Sequence, residues 1–216
     1  MGRPRLHDER TGIALLEAAE RLAEEDGVAA LSVRRVTDEV GTTTRAVYSV
    51  FGSKEGLVVA LGARAFELLG AAVEALPVTD DPAADLVTAG AVAFRSFATD
   101  HPALFRLGVQ RYSVTSELTA RFAGAAHTAL GSLHRRIARI EAAGKLGDRS
   151  VADAAWEFHA LCEGLAALEL RTVPSGAGPE RLWTDAMRAL VYGWAAVPAL
   201  PALPPDGRGG RAVDAG

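Results

Sequence analysis

The helical period governs nearly the whole chain. Leu15, Leu16, Ala19, Leu22 and Ala23 recur along one stripe at the spacing of an α-helix, and later segments repeat the pattern. No segment alternates apolar and polar residues beside a hairpin turn, so a sheet-based fold has no strands to build from. The expected fold class is all-α.

Glycine, proline and capping residues divide this helical text into units. The first helix, about residues 9 to 26, stops at Gly27. Ser32 is placed to cap a short helix whose Val33, Val36 and Val40 share a face, and Gly41 breaks it. Thr42 and Thr43 precede a second short helix reaching Phe51, with Ala46, Val47, Val50 and Phe51 available to face inward. Ser53 caps a long helix running through Leu57, Leu61, Ala65, Leu68 and Leu69 to about Leu76, which Pro77 ends. Further helices are expected near 82–99, 102–111, 115–143, 150–172 and 179–196. The stretch from Pro198 onward carries too much Pro and Gly for a helix and is expected to be a disordered tail. The expected units are an N-terminal arm and helix-turn-helix domain over 1–52, a connecting helix over 53–76, a larger helical body over 77–197 and the tail over 198–216.

Composition narrows the function classes. The 216 residues carry a formal net charge of −4, which argues against coating nucleic acid through bulk charge but leaves room for a local basic face. Cys162 is the one cysteine, which excludes an intrachain disulfide framework and a cysteine-only zinc cluster and fits a reducing compartment. The N-terminus lacks a signal-like apolar stretch, and no uninterrupted apolar run of about 18 residues is found. A cytoplasmic protein with no membrane contact is expected.

If the two short helices form, Thr44, Arg45, Tyr48 and Ser49 lie opposite the apolar stripe, with Arg34 and Arg35 opening the helix before and Lys54 the helix after. This window holds four basic residues (Arg34, Arg35, Arg45, Lys54) against three acidic ones (Asp38, Glu39, Glu55), so placement matters more than sum. A helix about 10–12 Å across fits the major groove of DNA, where an Arg can donate two bonds to guanine and a Thr can touch a thymine methyl. Tyr48 and Lys54 suit phosphate contacts. Gly2-Arg3-Pro4-Arg5 reads as a short arm whose Arg3 and Arg5 can reach an adjacent minor groove. The plainer alternative is a helical hairpin whose polar face is merely solvated.

The run Ser32-Val33-Arg34-Arg35-Val36-Thr37-Asp38-Glu39-Val40-Gly41-Thr42-Thr43-Thr44-Arg45-Ala46-Val47-Tyr48-Ser49-Val50-Phe51-Gly52-Ser53-Lys54-Glu55-Gly56-Leu57 resembles the TetR family of transcriptional regulators. The likeness lies in the glycine turn, the Tyr-x-x-Phe and the Ser-Lys-Glu-x-Leu, and it spans about residues 8 to 60. It departs at Thr42, where the family has an aliphatic residue, and at Val50, where it often has His or Tyr. The resemblance implies a homodimer that binds partly palindromic double-stranded operator DNA, usually represses, and is released by a small-molecule effector. It implies that Thr43 caps the recognition helix, that Thr44, Arg45 and Ser49 reach bases or nearby phosphates, and that Tyr48 and Lys54 hold the backbone. The DNA-binding set expected here is therefore Arg3, Arg5, Arg34, Thr42, Thr43, Thr44, Arg45, Tyr48, Ser49 and Lys54. His101 to Leu107 and Gly164 to Leu170 are similar to the C-terminal domain type named for a Trp-His-Gly pattern, with Glu163 standing where that pattern has His. With that resemblance the larger body is expected to be a regulatory and dimerisation bundle.

A regulatory pocket between helices needs aromatic mass and a few polar groups. Phe94, Phe97, Phe105, Tyr112, Phe122, Trp156 and Phe158 supply the first, and His127, His159, Cys162 and Glu163 the second; the last three share one helical face. Their spacing also permits a metal-dependent sensor or an all-α enzyme, but no second ligand pair, nucleophile motif or nucleotide-binding loop accompanies them, so no cofactor, metal or catalytic residue is expected. A third alternative is a helical dimerisation module without an operator. Arg135, Arg136, Arg139 and Lys145 read as a solvated face. Leu161, Leu165, Leu168, Trp183, Met187, Leu190, Val191 and Trp194 give the last two helices enough apolar surface for a four-helix interface between two subunits.

Overall fold

The computed structural model describes residues 4–109, 119–171 and 178–196, and every regular element among them is helical. Helix α1 spans Pro4–Asp26 and so begins earlier than the apolar stripe predicts. Proline suits a first helical position because its fixed φ matches the helix and its missing N–H has no intrahelical partner to serve. Pro4 and Arg5 thus belong to α1 rather than to an arm, and Arg3 lies outside the described residues.

A short 3-10 turn, Val28–Ala30, leads to α2 (Val33–Val40), α3 (Thr44–Phe51) and α4 (Lys54–Glu74). The Ser32 hydroxyl accepts the Arg35 amide at 3.2 Å and the Ser53 hydroxyl accepts the Gly56 amide at 2.9 Å, the two expected N-caps. Gly41 takes φ 72° and ψ 35°, a left-handed turn that an L side chain resists, and this turns the chain from α2 into α3. Leu15, Ala19, Leu22, Val36, Val47 and Leu57 are buried where α1 to α4 meet. Each such valine or leucine stabilises the trihelical unit by roughly 1.5–3 kcal/mol through burial.

The body packs around the rest of α4. Helix α5 (Pro82–Thr88) passes through a π-helical turn, Ala89–Phe94, into α6 (Arg95–Asp100), where the sequence pattern predicts one unbroken helix. A Cβ on Gly90 inside that turn would lie 2.6 Å from Met187 Sδ and 3.1 Å from Phe158 Cζ, so glycine is what lets two neighbouring helices seat here. A short α7 (Pro102–Leu104) opens into a second π-helical turn, Phe105–Val109. Helices α8 (Thr119–Ala142), α9 (Val151–Glu169) and α10 (Pro179–Ala196) complete the body, with α8 laid along α4 and α10 against α5 and α9. One hydrophobic core runs from Leu15 to Trp194. In length and composition α4 could cross a bilayer, yet more than half of its apolar window is buried in this core.

Two expectations change. The basic run is a solvated face only in part: Arg135 and Lys145 are exposed, Arg135 pairing with Glu74 at 2.6 Å, but Arg136 is buried and donates to the Val73 and Leu76 carbonyls at 2.7 and 3.3 Å, and Arg139 pairs with Asp85 at 2.6 Å and also donates to the Thr79 carbonyl. Arg135 and Arg136 clasp the C-terminal end of α4, whose last carbonyls have no partner within their own helix, and Arg139 ties α8 to α5 and the segment before it. Trp183, Met187, Val191 and Trp194 do not form an outer interface either, because all four are buried within the protomer. Helical periodicity cannot say which apolar face meets which neighbour. The expected tail falls outside the described residues, as do Tyr112 and the side chains of Arg5 and Phe122.

Candidate functional site

Burying Val47 completely orients α3 so that Thr44, Arg45, Tyr48 and Ser49 are exposed together, with Thr43 exposed just before them and Thr42 half-buried. Thr43 occupies the N-cap position of α3, but its side chain makes no cap hydrogen bond. The neighbouring cations divide into spent and available charges. Arg35 pairs with Asp26 at 2.5 Å and Arg21 with Glu39 at 2.7 Å, whereas Arg34 makes only a long, solvent-exposed contact of 3.8 Å with Asp38. Among the described residues no carboxylate pairs with Arg45 or Lys54. Lys54 is the first residue of α4; beside it the Glu55 carboxyl is held below the usual carboxylate range by its own backbone amide and then by Ser53.

A second feature lies in the body. Phe66, Leu69, Gly70 and Val73 of α4, Ala129, Leu130 and Leu133 of α8, Ala89 and Phe94 of the π-helical turn, and Phe158 and His159 of α9 enclose a cavity of about 50 Å³. Phe94 stands edge-on to Phe105 and to His159, with ring centres 6.2 and 6.0 Å away. His159 Nε2 lies 2.8 Å from the Glu163 carboxylate, and its ring also meets Trp156 edge-on at 6.3 Å. A wider groove between α4 and α8 adjoins the cavity, sharing Phe66, Gly70 and Ala129 and ending at Glu74, Ser132 and Arg135. Hydrogen bonds from Ser132 and then Arg135 hold the Glu74 carboxyl below its ordinary range.

Residues 15–61 match the family model of bacterial regulatory proteins of the tetR family, and residues 87–190 match that of the tetracyclin repressor-like C-terminal domain. The chain belongs to the TetR family. A Rhodococcus sp. RHA1 protein of unknown function is 27% identical and superposes with a TM-score of 0.76, covering 86% of this chain and 95% of its own. A tetR-family regulatory protein from Rhodococcus RHA1 is 21% identical, with a TM-score of 0.62 over 84% of this chain and 97% of that one. AibR, solved with isovaleryl coenzyme A and operator DNA, shares the fold at 16% identity, with a TM-score of 0.60 over 84% of this chain and 98% of that one. No curated protein matches the sequence.

In this TetR-family chain the helix-turn-helix is not an isolated module. Glu24 of α1 accepts the amides of Ala103 and Leu104 at 2.8 and 3.1 Å, so a carboxylate from the DNA-binding part caps α7 of the body. Glu20 adds longer contacts to His101 Nδ1 at 3.5 Å and to Arg64 at 3.6 Å. These links escape sequence reading because Glu24 lies far from Ala103 along the chain and no local pattern marks the pair.

Of the eleven residues expected around an effector, Phe94, Phe158 and His159 line the cavity. Phe105 is buried against Phe94, Phe97 is buried against His101, Glu163 reaches the cavity through His159, His127 is exposed on α8, and Trp156 is 64% exposed on the outer face of α9. Tyr112 and the Phe122 side chain are outside the description. Cys162 is fully buried with its Sγ 4.0 Å from Met187 Sδ, and burial, with Glu163 second, pushes the thiol well above its ordinary value. A thiolate is disfavoured there, so the spacing that puts His159, Cys162 and Glu163 on one face does not make a reactive thiol. Among the described residues no three His, Cys, Asp or Glu side chains converge as metal ligands. The α4 and α8 wall was not anticipated, because no local pattern tells which helix α4 lies along.

Proposed function

We propose that this TetR-family chain is a cytoplasmic, homodimeric repressor without catalytic activity, which binds a palindromic operator through α3 and releases it when a small molecule enters the cavity between α4 and α8. The supporting observation is the exposed face of α3, where, among the described residues, Arg45 and the Lys54 that opens α4 lack the carboxylate partners that occupy Arg35 and Arg21. On this reading residues 1–52 bind DNA, 53–76 connect, and 77–197 bind effector and dimerise. Arg34, Thr42, Thr43, Thr44 and Ser49 complete the DNA surface, and Arg3 and Arg5 extend it. AibR, which shares the fold and was solved in complex with isovaleryl coenzyme A and operator DNA, supports this reading.

Release requires that the effector bind better to the arrangement in which the two recognition helices are wrongly spaced for successive major grooves. Helix α4 joins the events, since it starts at Lys54 beside α3 and carries Phe66, Leu69, Gly70 and Val73 into the cavity wall. For the dimer, Trp156, Leu168, Leu182 and Tyr192 are the large exposed apolar residues of α9 and α10, interleaved with the small exposed residues Ala160, Gly164 and Ala189 that permit close helix approach. Trp156→Arg is expected to give a monomer by light scattering; an unchanged dimer would remove Trp156 from the interface.

The deciding experiment is selection of bound duplexes from a random DNA pool at about 150 mM salt, where nonspecific phosphate binding is suppressed. An enriched inverted repeat is expected; no enrichment by folded protein would overturn the reading. On the selected site, Arg45→Ala should weaken binding by about 1–3 kcal/mol and relax the preference for one base pair, whereas Lys54→Ala should weaken all sequences alike and lower the salt slope by about 1. Equal losses on every sequence for Arg45→Ala would exclude it from base reading.

A further inference from the structure

The cavity's chemistry narrows what can occupy it, given the regulatory role proposed above. Ten of its eleven lining residues offer only carbon to an occupant, and none is Lys, Arg, Asp or Glu. An ion placed there would lose its hydration with no opposite charge in the wall, a penalty of several kcal/mol. The one polar side chain is His159, and it is held on three sides by Phe94, Trp156 and Glu163. With the Glu163 carboxylate 2.8 Å from Nε2, that nitrogen is the one that keeps a proton, and Nδ1 is left as the ring's acceptor. Among the described residues Nδ1 has no hydrogen-bond partner.

Size adds a second constraint. An apolar cavity of about 150 Å³ is of the size known to take up benzene, and this one measures about 50 Å³. A single-ring molecule therefore seats fully there only by pressing α4 and α8 apart or by extending into the adjoining groove. The two helices meet at Gly70 in ordinary contact, since an added Cβ would stand 3.9 Å from Ala129 Cα.

We propose that the effector is a compact, uncharged, mainly apolar molecule of about one ring, carrying a hydroxyl or N–H donor that His159 Nδ1 accepts, and that it acts as a wedge between α4 and α8. The wedge moves the helix that begins at Lys54, which is how occupancy of the cavity reaches α3.

Four probes of one shape separate the possibilities: phenol, toluene, benzoate and benzylammonium, each titrated at millimolar concentration by calorimetry and by release of the selected operator in fluorescence anisotropy. Phenol is expected to bind about 5- to 10-fold more tightly than toluene, the ratio set by one hydrogen bond to an otherwise unpaired group, and to release the operator, while the two ions do not bind. His159→Leu should bring phenol down to the level of toluene without abolishing toluene binding. Ala89→Val, which adds two methyl groups to the wall, should weaken both neutral probes at least tenfold at an unchanged melting temperature. Equal binding of phenol and toluene, or tighter binding of either ion, would overturn the proposed chemistry and leave the cavity as the regulatory site. Binding of phenol with no effect on the operator would overturn the wedge. No binding of any probe to protein that still binds its operator would overturn the cavity as an effector site altogether.

Discussion

Trp183→Ala is expected to remove about 3–5 kcal/mol of folding stability, measured as a loss in urea denaturation followed by circular dichroism. Trp183 is 1% exposed and packs 6.2 Å from the Phe94 ring, centre to centre. Its indole N–H donates to Glu169 at 2.8 Å, and the same carboxylate receives Arg95 through Nε at 3.1 Å and through its terminal nitrogen at 2.9 Å. Hydrogen bonding to Glu169 is also the main influence raising the Arg95 pKa. The alanine variant therefore leaves a large void and takes away one partner of Glu169. Trp183→Phe separates the two: it keeps most of the packing and should cost about 1–2 kcal/mol, made up of a lost hydrogen bond and a smaller ring. A Trp183→Ala protein as stable as the parent would mean that α10 is not docked through this residue. Because natural domains are stable by only about 5–15 kcal/mol, the alanine variant should also be visibly depleted of folded protein at elevated temperature.

Asp85→Ala is expected to have the next largest effect. The Asp85 side chain is 4% exposed and accepts the Thr79 amide at 2.9 Å, the Thr79 hydroxyl at 2.7 Å and an Arg139 nitrogen at 2.6 Å. Removing one partner of a fully buried pair costs about 3–5 kcal/mol, and because Arg139 is 34% exposed the loss here should be about 2–3 kcal/mol. The pH dependence follows from opposed influences. Burial is the largest single one and pushes the carboxyl up, but the hydrogen bonds from Thr79 and Arg139 together outweigh it, so the group titrates below its ordinary 3.8. The folded state then binds fewer protons than the unfolded one as the medium acidifies. The stability Asp85 contributes is complete above the unfolded value and is lost as pH falls through the folded one. The gap in stability between the parent and Asp85→Ala should therefore hold steady from about pH 8 to pH 5 and close at more acid pH. A gap that widened on acidification would show that Thr79 and Arg139 do not stabilise the ionised form.

The DNA-binding part was largely legible before any coordinates because its determinants are local. Ser32, Gly41 and Ser53 act on amides or dihedrals within three residues of themselves, so their chemistry can be read one turn at a time. The orientation of α3 follows from a single buried stripe, with Val47 inside and Thr44, Arg45, Tyr48 and Ser49 outside. The body was legible only as a set of helices. The π-helical turns at Ala89–Phe94 and Phe105–Val109 are only 6 and 5 residues long, too short for their wider turn to show in the hydrophobic pattern. The run Arg135, Arg136 and Arg139 reads as a solvated face until Glu74, Val73, Leu76 and Asp85 are brought to it from other elements.

Sequence by itself therefore determined the all-α class, the short helices and their caps, and the polar face of α3, because those depend on neighbours within a turn or two. Tertiary structure alone decided which cations remain without carboxylates, since the pairing of Arg35 with Asp26 and Arg21 with Glu39 joins different elements. It also decided that Trp183 and Trp194 lie in the protomer's own core, that Cys162 faces Met187, and that His159 meets a cavity walled by α4 and α8. The physical reason is common to all of these. An amphipathic stripe states that a face must be buried, while the partner that buries it is chosen by packing among helices far apart in the chain.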